Sequence, residues 1–556
     1  MPCVNKKLEE RNMEKLWLKN LDPSIPTEID ADSHPSVWDM AKEAIVKFGD
    51  KTAFSNFGAA LSYQDMDRLS AQLVAYLQSE LGLKKGDRIA IMCPNILAFP
   101  ITLLANLRGG FVQVNVNPQY TARELVHQLN DADTDTIVIF SGSTSTLSEI
   151  VDQTNIKNII VVNLGDFGNE TISSPEINSG IGQYILFKDA ISKGAELQAQ
   201  QVDIKGEDLL FLQYTGGTTG LSKGAALSQR NLVANINQFS AVMKAQLVEG
   251  EEVVITALPL YHIFALMVNC LSFFMKGGAN VLITNPGDMP GFVAELSRWP
   301  FTAITGVNTL FNGLLHTPGF SDLDFTTLKI AAGGGTAIQE AISNKWRDAT
   351  GAHITEGYGL SETSPVLTFN RVDPDTFSSS IGIPIPSTDI SLRDEEGNEV
   401  GIGEPGELCA KGPQVMRGYW RNEEETKKVT TSDGYFMTGD VAILTEGGIF
   451  KIVDRMKDMI IVSGFNVYPN EIEAVIANME GILESACIGV PSEKTDEAVK
   501  LFVVKNEGAE LTEEDIIEFC RKHLVRYKVP KQVEFIDAVP KSAVGKLLRR
   551  ELRPKP

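Results

Sequence analysis

Apolar and polar positions along this chain follow two periods, and the switches between them mark out its elements. Apolar residues recur at helical spacing over 37–48 and more clearly over 62–77, where Met66, Leu69, Leu73 and Tyr76 fall on one face. Ser62 and Asp65 head that second run at the spacing of a capping box. Short apolar runs at 88–93, 112–116, 136–140 and 159–162 predict buried strands, and 97–107 and 121–129 predict helices between them. This alternation predicts an α/β fold, with a large N-terminal domain of parallel sheets covered by helices. Residues 163–183 are rich in Gly, Asn and Ser and predict an exposed loop. The stretch 253–275 has the hydropathy of a membrane span, but Pro259 and His262 interrupt it, and the run from His262 to Lys276 is too short to cross a bilayer. A buried core segment is expected there.

From about 381 to 453 the texture changes. Short apolar runs alternate with turn signals such as Glu396-Gly397-Asn398 and Glu446-Gly447-Gly448, which predict an antiparallel β subdomain. The charged VDRMKD at 453–458 reads as a linker. Beyond it, strands at 459–462, 486–490 and 499–504 and helices at 470–479 and 512–527 predict a small C-terminal α/β domain. Thr512 and Asp515 cap the last helix. The expected division is 1–453, a hinge at 454–458, and 459–556.

At 556 residues the chain is too long for one core. A formal net charge of −22 argues against nucleic acid as a partner, because binding a phosphate backbone needs a basic face. It does not exclude a local basic pocket for a nucleotide. The six cysteines, at 3, 93, 270, 409, 487 and 520, form no C-x-x-C pair, so neither a zinc site nor a disulfide framework is indicated. Reduced thiols in a cytoplasmic setting fit. The beginning, MPCVNKKLEERNMEKLW, is polar and lacks the apolar core of a signal peptide, and Met13 offers an alternative start.

The candidate chemistry centres on YTGGTTGLSKG at 214–224. An apolar run at 209–212 predicts a strand before it, and 231–239 predicts a helix after it. A flexible, hydroxyl-rich loop with one cation suits an anion: glycines let backbone N–H groups approach phosphate oxygens, and Lys223 adds charge. It is not a Walker A loop, since Lys223 follows Ser222 and precedes Gly224. An ordinary Gly/Ser turn is the bland alternative, but few turns gather so many donors beside a lysine.

YTGGTTGLSKGA resembles the phosphate-binding signature of the adenylate-forming enzymes: acyl-CoA synthetases, luciferases and peptide-synthetase adenylation domains. The likeness extends over nearly the whole chain through IAAGGG (330–335), TEGYGLSE (355–362), Thr438-Gly439-Asp440, the wider stretch 433–457 and the ending PKSAVGKLLRREL (540–552). It is nearest to bacterial long-chain fatty acyl-CoA synthetases. The resemblance implies ATP-dependent activation of a fatty acid to acyl-CoA through an acyl-adenylate.

It also implies roles for particular residues. Thr215, Gly216, Gly217, Thr218, Thr219, Gly220 and Lys223 would hold the ATP phosphates. Gly333, Gly334 and Gly335, with Gly357, Tyr358 and Gly359, would enclose adenine, and Ser361 would reach the α-phosphate. Glu362 and Thr215 would ligate Mg²⁺, which uses only one or two carboxylates. Asp440 and Arg455 would hold the ribose, with Ile452 beside them. Tyr261, His262 and Phe264 in PLYHIF, and Val307 and Asn308 in GVNTL, would wall the acyl pocket. Ser463, Gly464 and Phe465 would line the CoA path, Lys457 would be the hinge, and Lys546 the catalytic lysine on a mobile C-terminal domain. Fatty acid, ATP and CoA are the implied partners. A homodimer is compatible with the resemblance, and a lipidic substrate leaves peripheral contact with the inner face of the cell membrane open. Two other readings stay open: a ligase for an aryl, amino or medium-chain acid, which shares every phosphate motif, and a non-catalytic acyl-nucleotide-binding protein, against which the intact Lys223, Glu362, Asp440 and Lys546 argue.

Overall fold

The computed structural model describes residues 16–169, 171–215, 222–373, 375–463, 465–492, 495–542, 545 and 547–553. Among these residues the strands gather into four sheets. The first runs in the order Ile185–Leu186, Asn158–Val162, Thr136–Phe140, Arg88–Met92, Val112–Asn115, Leu209–Thr215, Lys223–Ser228. Its pairings are parallel except the last. Its strands Arg88–Met92, Thr136–Phe140 and Asn158–Val162 each open on one polar residue and are otherwise apolar and almost wholly buried, as a parallel sheet covered on both faces requires. The helices Tyr63–Ser79 and Ala98–Gly109 pack on each other beside it. Ser62 caps the first of these through Asp65 N, and the Asp65 carboxylate returns a bond to Ser62 N at 3.1 Å, so the expected capping box is present. Thr121 with Glu124 and Thr512 with Asp515 form the same motif.

The second sheet runs Ile383–Pro384, Val366–Phe369, Ile354–Gly359, Ile330–Gly333, Ala303–Gly306, Val253–Thr256, Ala279–Leu282, Thr52–Asn56, Ala59–Ser62, with parallel pairings in its interior. One apolar cluster fills the space between the two large sheets. The stretch 253–275 enters this core as the strand Val253–Thr256 and returns as a π-type helix, Ala265–Ser272, every residue of which is buried. Among the described residues no helix is long and apolar enough to cross a membrane. The third sheet is antiparallel, from Asp389–Arg393 through Gly406–Lys411 and Phe436–Leu444 to Phe450–Arg455, in the region whose texture predicted it. The fourth lies beyond Arg455, around the long pair Ile482–Ser492 and Asp496–Lys505, and has its own apolar core.

The structure corrects several local expectations. Lys223 is not in a loop that leads straight to a helix. It opens the edge strand Lys223–Ser228, whose backbone pairs with Leu209–Thr215 while its small residues let Tyr419 bridge to Ala225 on the other side. The helix after it starts at Gln229, capped by Ser228. The helix expected to reach 527 ends at His523, because Leu524 is extended with φ −125° and ψ 149°. The short strands Thr52–Asn56, Ala59–Ser62, Phe465–Val467 and Gln532–Phe535 were not anticipated. The described cysteines, 93, 270, 409, 487 and 520, are free and buried.

Candidate active site

The antiparallel pairing that ends at Thr215 sets it opposite Lys223, at the base of the glycine-rich hairpin. Gly216, Gly217, Thr218, Thr219 and Gly220 lie outside the described residues. The base of the hairpin is well anchored. Tyr214 is buried and donates its hydroxyl to Asp131 Oδ2 at 2.5 Å, and burial and that carboxylate push its ionisation far up, so it stays a neutral donor. His127 Nε2 lies 2.8 Å from the carbonyl oxygen of Ser222. Lys223 is ion-paired with Glu425 and sits 5.1 Å from the centroid of the Tyr419 ring.

Tyr419 joins the hairpin to the TEGYGLSE motif. Its hydroxyl donates to Glu362 Oε1 at 2.9 Å, and burial with that neighbouring carboxylate raises the phenol's pKa. The backbone beside it is stitched on both sides: Trp420 N donates to Gly224 O at 2.8 Å, and Met416 N donates to Glu362 O at 2.7 Å. Glu362 stands in the turn Ser361–Thr363, only 8% exposed, and this turn packs against both hairpin strands. Ser361, half-buried, opens the turn. Neither Tyr419 nor Glu425 was singled out from sequence.

The strand Ile354–Gly359 delivers the rest of this motif. A Cβ on Gly359 would lie 1.8 Å from the carbonyl oxygen of Pro365, so only glycine fits. Gly357 pairs with Phe369 on the neighbouring strand. Tyr358 donates its hydroxyl to Asp440 Oδ2 at 2.7 Å, and Arg455 Nε lies 3.2 Å from Asp440 Oδ1. Asp440 and Arg455 are direct partners across Phe436–Leu444 and Phe450–Arg455, and Ile452 packs against the same apolar cluster as Tyr358.

Gly333 ends its strand opposite Gly306, and a Cβ on Gly334 would come within 3.1 Å of the Phe264 ring. Gly335 has a φ of 78°. The return of this loop is held by two side chains: Glu356 Oε1 accepts Ile338 N–H at 2.8 Å, and Asn308 Oδ1 accepts Gln339 N–H at 3.0 Å. Glu356 is buried, and desolvation pushes its carboxyl up to about 8. Tyr261, His262 and Phe264 are half-buried, and Gln213, two residues before Thr215, donates to the Tyr261 carbonyl at 3.0 Å. Val307 and Asn308 stand at the head of the helix Asn308–Leu315. The strand that ends in Thr215, the Gly333–Gly335 loop and the PLYHIF segment therefore converge.

Lys546 and Gly464 lie outside the described residues. Gly545, just before Lys546, rests on the GVNTL segment: a Cβ there would be 3.0 Å from Val307 Cγ2 and from Thr309 Oγ1. Ser463 and Phe465 sit elsewhere, on an outer hairpin of the C-terminal sheet. Ser463 has a φ of 52°, and Phe465 is 55% exposed and stacks on Tyr527 with 4.8 Å between centroids. The Lys457 carbonyl accepts a bond from Arg553 Nη2 at 3.1 Å, and Asp454 Oδ2 accepts one from Asn470 N at 2.9 Å.

No three or more His, Cys, Asp or Glu among the described residues gather to hold a metal on their own. A single buried carboxylate, Glu362, packed near the strand that ends in Thr215, fits a hard cation whose other ligands are phosphate oxygens and water.

A model of the AMP-binding enzyme family matches residues 41–420, and one of the AMP-binding enzyme C-terminal domain matches 471–546. A long-chain-fatty-acid–CoA ligase of Yersinia pestis is 50% identical over 552 residues, covering 97% of this chain and 98% of that protein. The structure of ATP-bound MatB from Rhodopseudomonas palustris superposes with a TM-score of 0.80 at 29% identity, over 93% of this chain and 98% of that one. The anthranilate CoA ligase AuaEII in complex with anthranoyl-AMP superposes at 0.85 over 94% of this chain and 98% of that one, at 21% identity, a likeness of fold alone.

Proposed function

Since the chain belongs to the AMP-binding enzyme family, we infer that it is an ATP-dependent long-chain-fatty-acid–CoA ligase. The observation that carries this reading is the 50% identity to the Yersinia ligase along 97% of the chain. That span includes the acyl segments as well as the phosphate motifs, which ligases for other acids share.

The fatty-acid carboxylate attacks the α-phosphorus of ATP, the bond from that phosphorus to its bridging oxygen breaks, and pyrophosphate leaves. The product is an acyl-adenylate. The thiol of CoA, giving up its proton, then attacks the adenylate carbonyl, and AMP departs with the oxygen that the carboxylate supplied. Both nucleophiles come from substrates, so the protein needs none of its own. Its work is positioning and charge neutralisation.

In this reading Thr215, Lys223 and the loop between them hold the phosphates. The loop of Gly333, Gly334 and Gly335 faces adenine with Tyr358. Asp440 and Arg455 take the ribose diol, and Ser361 reaches the α-phosphate. Tyr261, His262, Phe264, Val307 and Asn308 wall the acyl end. Glu362 and Thr215 would hold Mg²⁺, which when bound offsets phosphate charge, and the bond from Tyr419 orients the Glu362 carboxylate. Lys546 brings carboxylate and α-phosphate together, and the seat of Gly545 on Val307 supports that placement. For the second step, residues 459–556 turn about Lys457 so that Gly464, with Ser463 and Phe465, lines the pantetheine path. The lipidic substrate supports a peripheral membrane contact from the cytoplasmic side, and the family resemblance supports a homodimer.

The test is product analysis with Mg-ATP, CoA and palmitate, acetate or benzoate. Palmitoyl-CoA and AMP are expected in equal amounts. Reaction with benzoate alone would overturn the fatty-acid assignment.

A further inference from the structure

Lys223 and Glu425 lie 202 residues apart in the chain, yet their side chains form an ion pair. Glu425 is delivered by a short helix, Glu423–Lys428, that is fixed to the site by several bonds. Asn422 Oδ1 caps it by accepting Glu425 N–H at 3.1 Å, and Thr426 Oγ1 accepts Tyr419 N–H at 2.9 Å. Tyr419 in turn lies under Lys223 and holds Glu362. The cation meant for phosphate, the carboxylate meant for the metal and the acid Glu425 are thus parts of one connected unit.

Two features make this ion pair suited to exchange. Its side chains are 33% and 27% exposed, so water can replace either partner without stranding a buried charge. Glu425 has a second cation, Lys428 Nζ at 2.6 Å from its other oxygen, so it stays paired when Lys223 leaves. The Tyr419 ring lies beside Lys223 and offers the ammonium a favourable neighbour besides Glu425.

We propose that Glu425 is the exchange counter-ion of Lys223: Lys223 leaves it for the incoming nucleotide phosphates and returns to it as pyrophosphate departs. Glu425 is then a positioning residue that speeds release of the leaving group at some cost in phosphate affinity. The inference rests on reading Lys223 as the phosphate cation.

The test uses the full enzyme with palmitate, Mg-ATP and CoA, and reads the KM for ATP and the inhibition constant of inorganic pyrophosphate. Glu425→Gln keeps the shape and removes the charge. Both constants should fall about fivefold, the upper range for a partly exposed pair, and steady-state turnover should become more sensitive to added pyrophosphate. Glu424→Gln, a control on the exposed face of the same helix, should change neither constant. In a Lys223→Ala background the effect of Glu425→Gln should vanish. Constants that stay unchanged or rise in Glu425→Gln overturn the proposal, as does an equal fall when Lys223 is absent, which would mean a general field effect. The underlying reading fails separately: Lys223→Ala alone should raise both constants, and if it leaves them unchanged, Lys223 is not the phosphate cation.

Discussion

Tyr358 and Asp440, 82 residues apart, meet in a 2.7 Å hydrogen bond from phenol to carboxylate, while Arg455 closes on the other oxygen at 3.2 Å. Burial and the carboxylate push the Tyr358 hydroxyl far up, so it is a donor at any working pH. Asp440 is therefore oriented before any nucleotide arrives, and its remaining lone pairs point from a fixed carboxylate. A ribose diol would meet a prearranged acceptor.

Asp440→Ala removes that acceptor and leaves the buried Tyr358 hydroxyl without it, while water can reach the partly exposed Arg455 guanidinium. The expected result is a large rise in the KM for ATP with little change for palmitate. A stability loss of about 1–3 kcal/mol from the unsatisfied phenol should accompany it. Calorimetric titration with ATP and a denaturant curve check the two parts separately; unaltered nucleotide affinity would remove Asp440 from the ribose site.

Glu362→Gln should keep the bond from Tyr419, because the amide oxygen still accepts its hydroxyl. Adenylation should nevertheless collapse, most steeply at limiting Mg²⁺, since the amide lacks the charge that a hard cation needs. Pyrophosphate release followed against Mg²⁺ concentration is the measurement, and a wild-type curve would refute the metal assignment.

Glu356 supplies a pH prediction. Its folded carboxyl is pushed up to about 8 by burial, well above the ordinary glutamate value of 4.5. Between those values the folded chain keeps a proton that the unfolded chain has released, so this group's contribution makes stability fall as pH rises across that window. Glu356→Gln should remove the dependence. Thermal melts should show the variant gaining on the wild type at pH 8 relative to pH 5, and an equal difference at both pH values would mean that Glu356 ionises normally.

Lys546 and Gly464 should separate the two half-reactions. Lys546→Ala removes a cation aimed at charge developing on the α-phosphate, a loss of about 10²–10³ in rate, yet it should still convert supplied acyl-adenylate to thioester. Gly464→Leu should do the reverse, provided its thermal unfolding is normal. Equal loss of both steps in both variants would favour a single fixed site over a turning C-terminal domain.

What the sequence made legible was local. The capping boxes at Ser62 and Thr512 join residues three apart, so spacing alone reveals them, and the one at Thr121, of the same spacing, went unread. The core fate of 253–275 followed from its length and its interruptions. The edge strand that carries Lys223 was hidden because KGAALS is small and polar enough to read as a turn, and its identity depends on pairing with Leu209–Thr215. Tyr419 and Glu425 were missed for the same reason: their partners lie 57 and 202 residues away, and nothing in RGYWRNEEET marks which acid faces inward. Glu356 sits inside a recognised motif, but only its burial distinguishes it from a surface glutamate.

The central claim is that the substrate's carboxylate attacks the α-phosphorus and leaves its oxygen on AMP. Palmitate labelled with ¹⁸O in both carboxylate oxygens, incubated with the enzyme, Mg-ATP and CoA, tests this directly by mass spectrometry of the phosphate products. One labelled oxygen per AMP and none in pyrophosphate is the predicted result. ADP with label in orthophosphate, or label in pyrophosphate, would contradict the acyl-adenylate route.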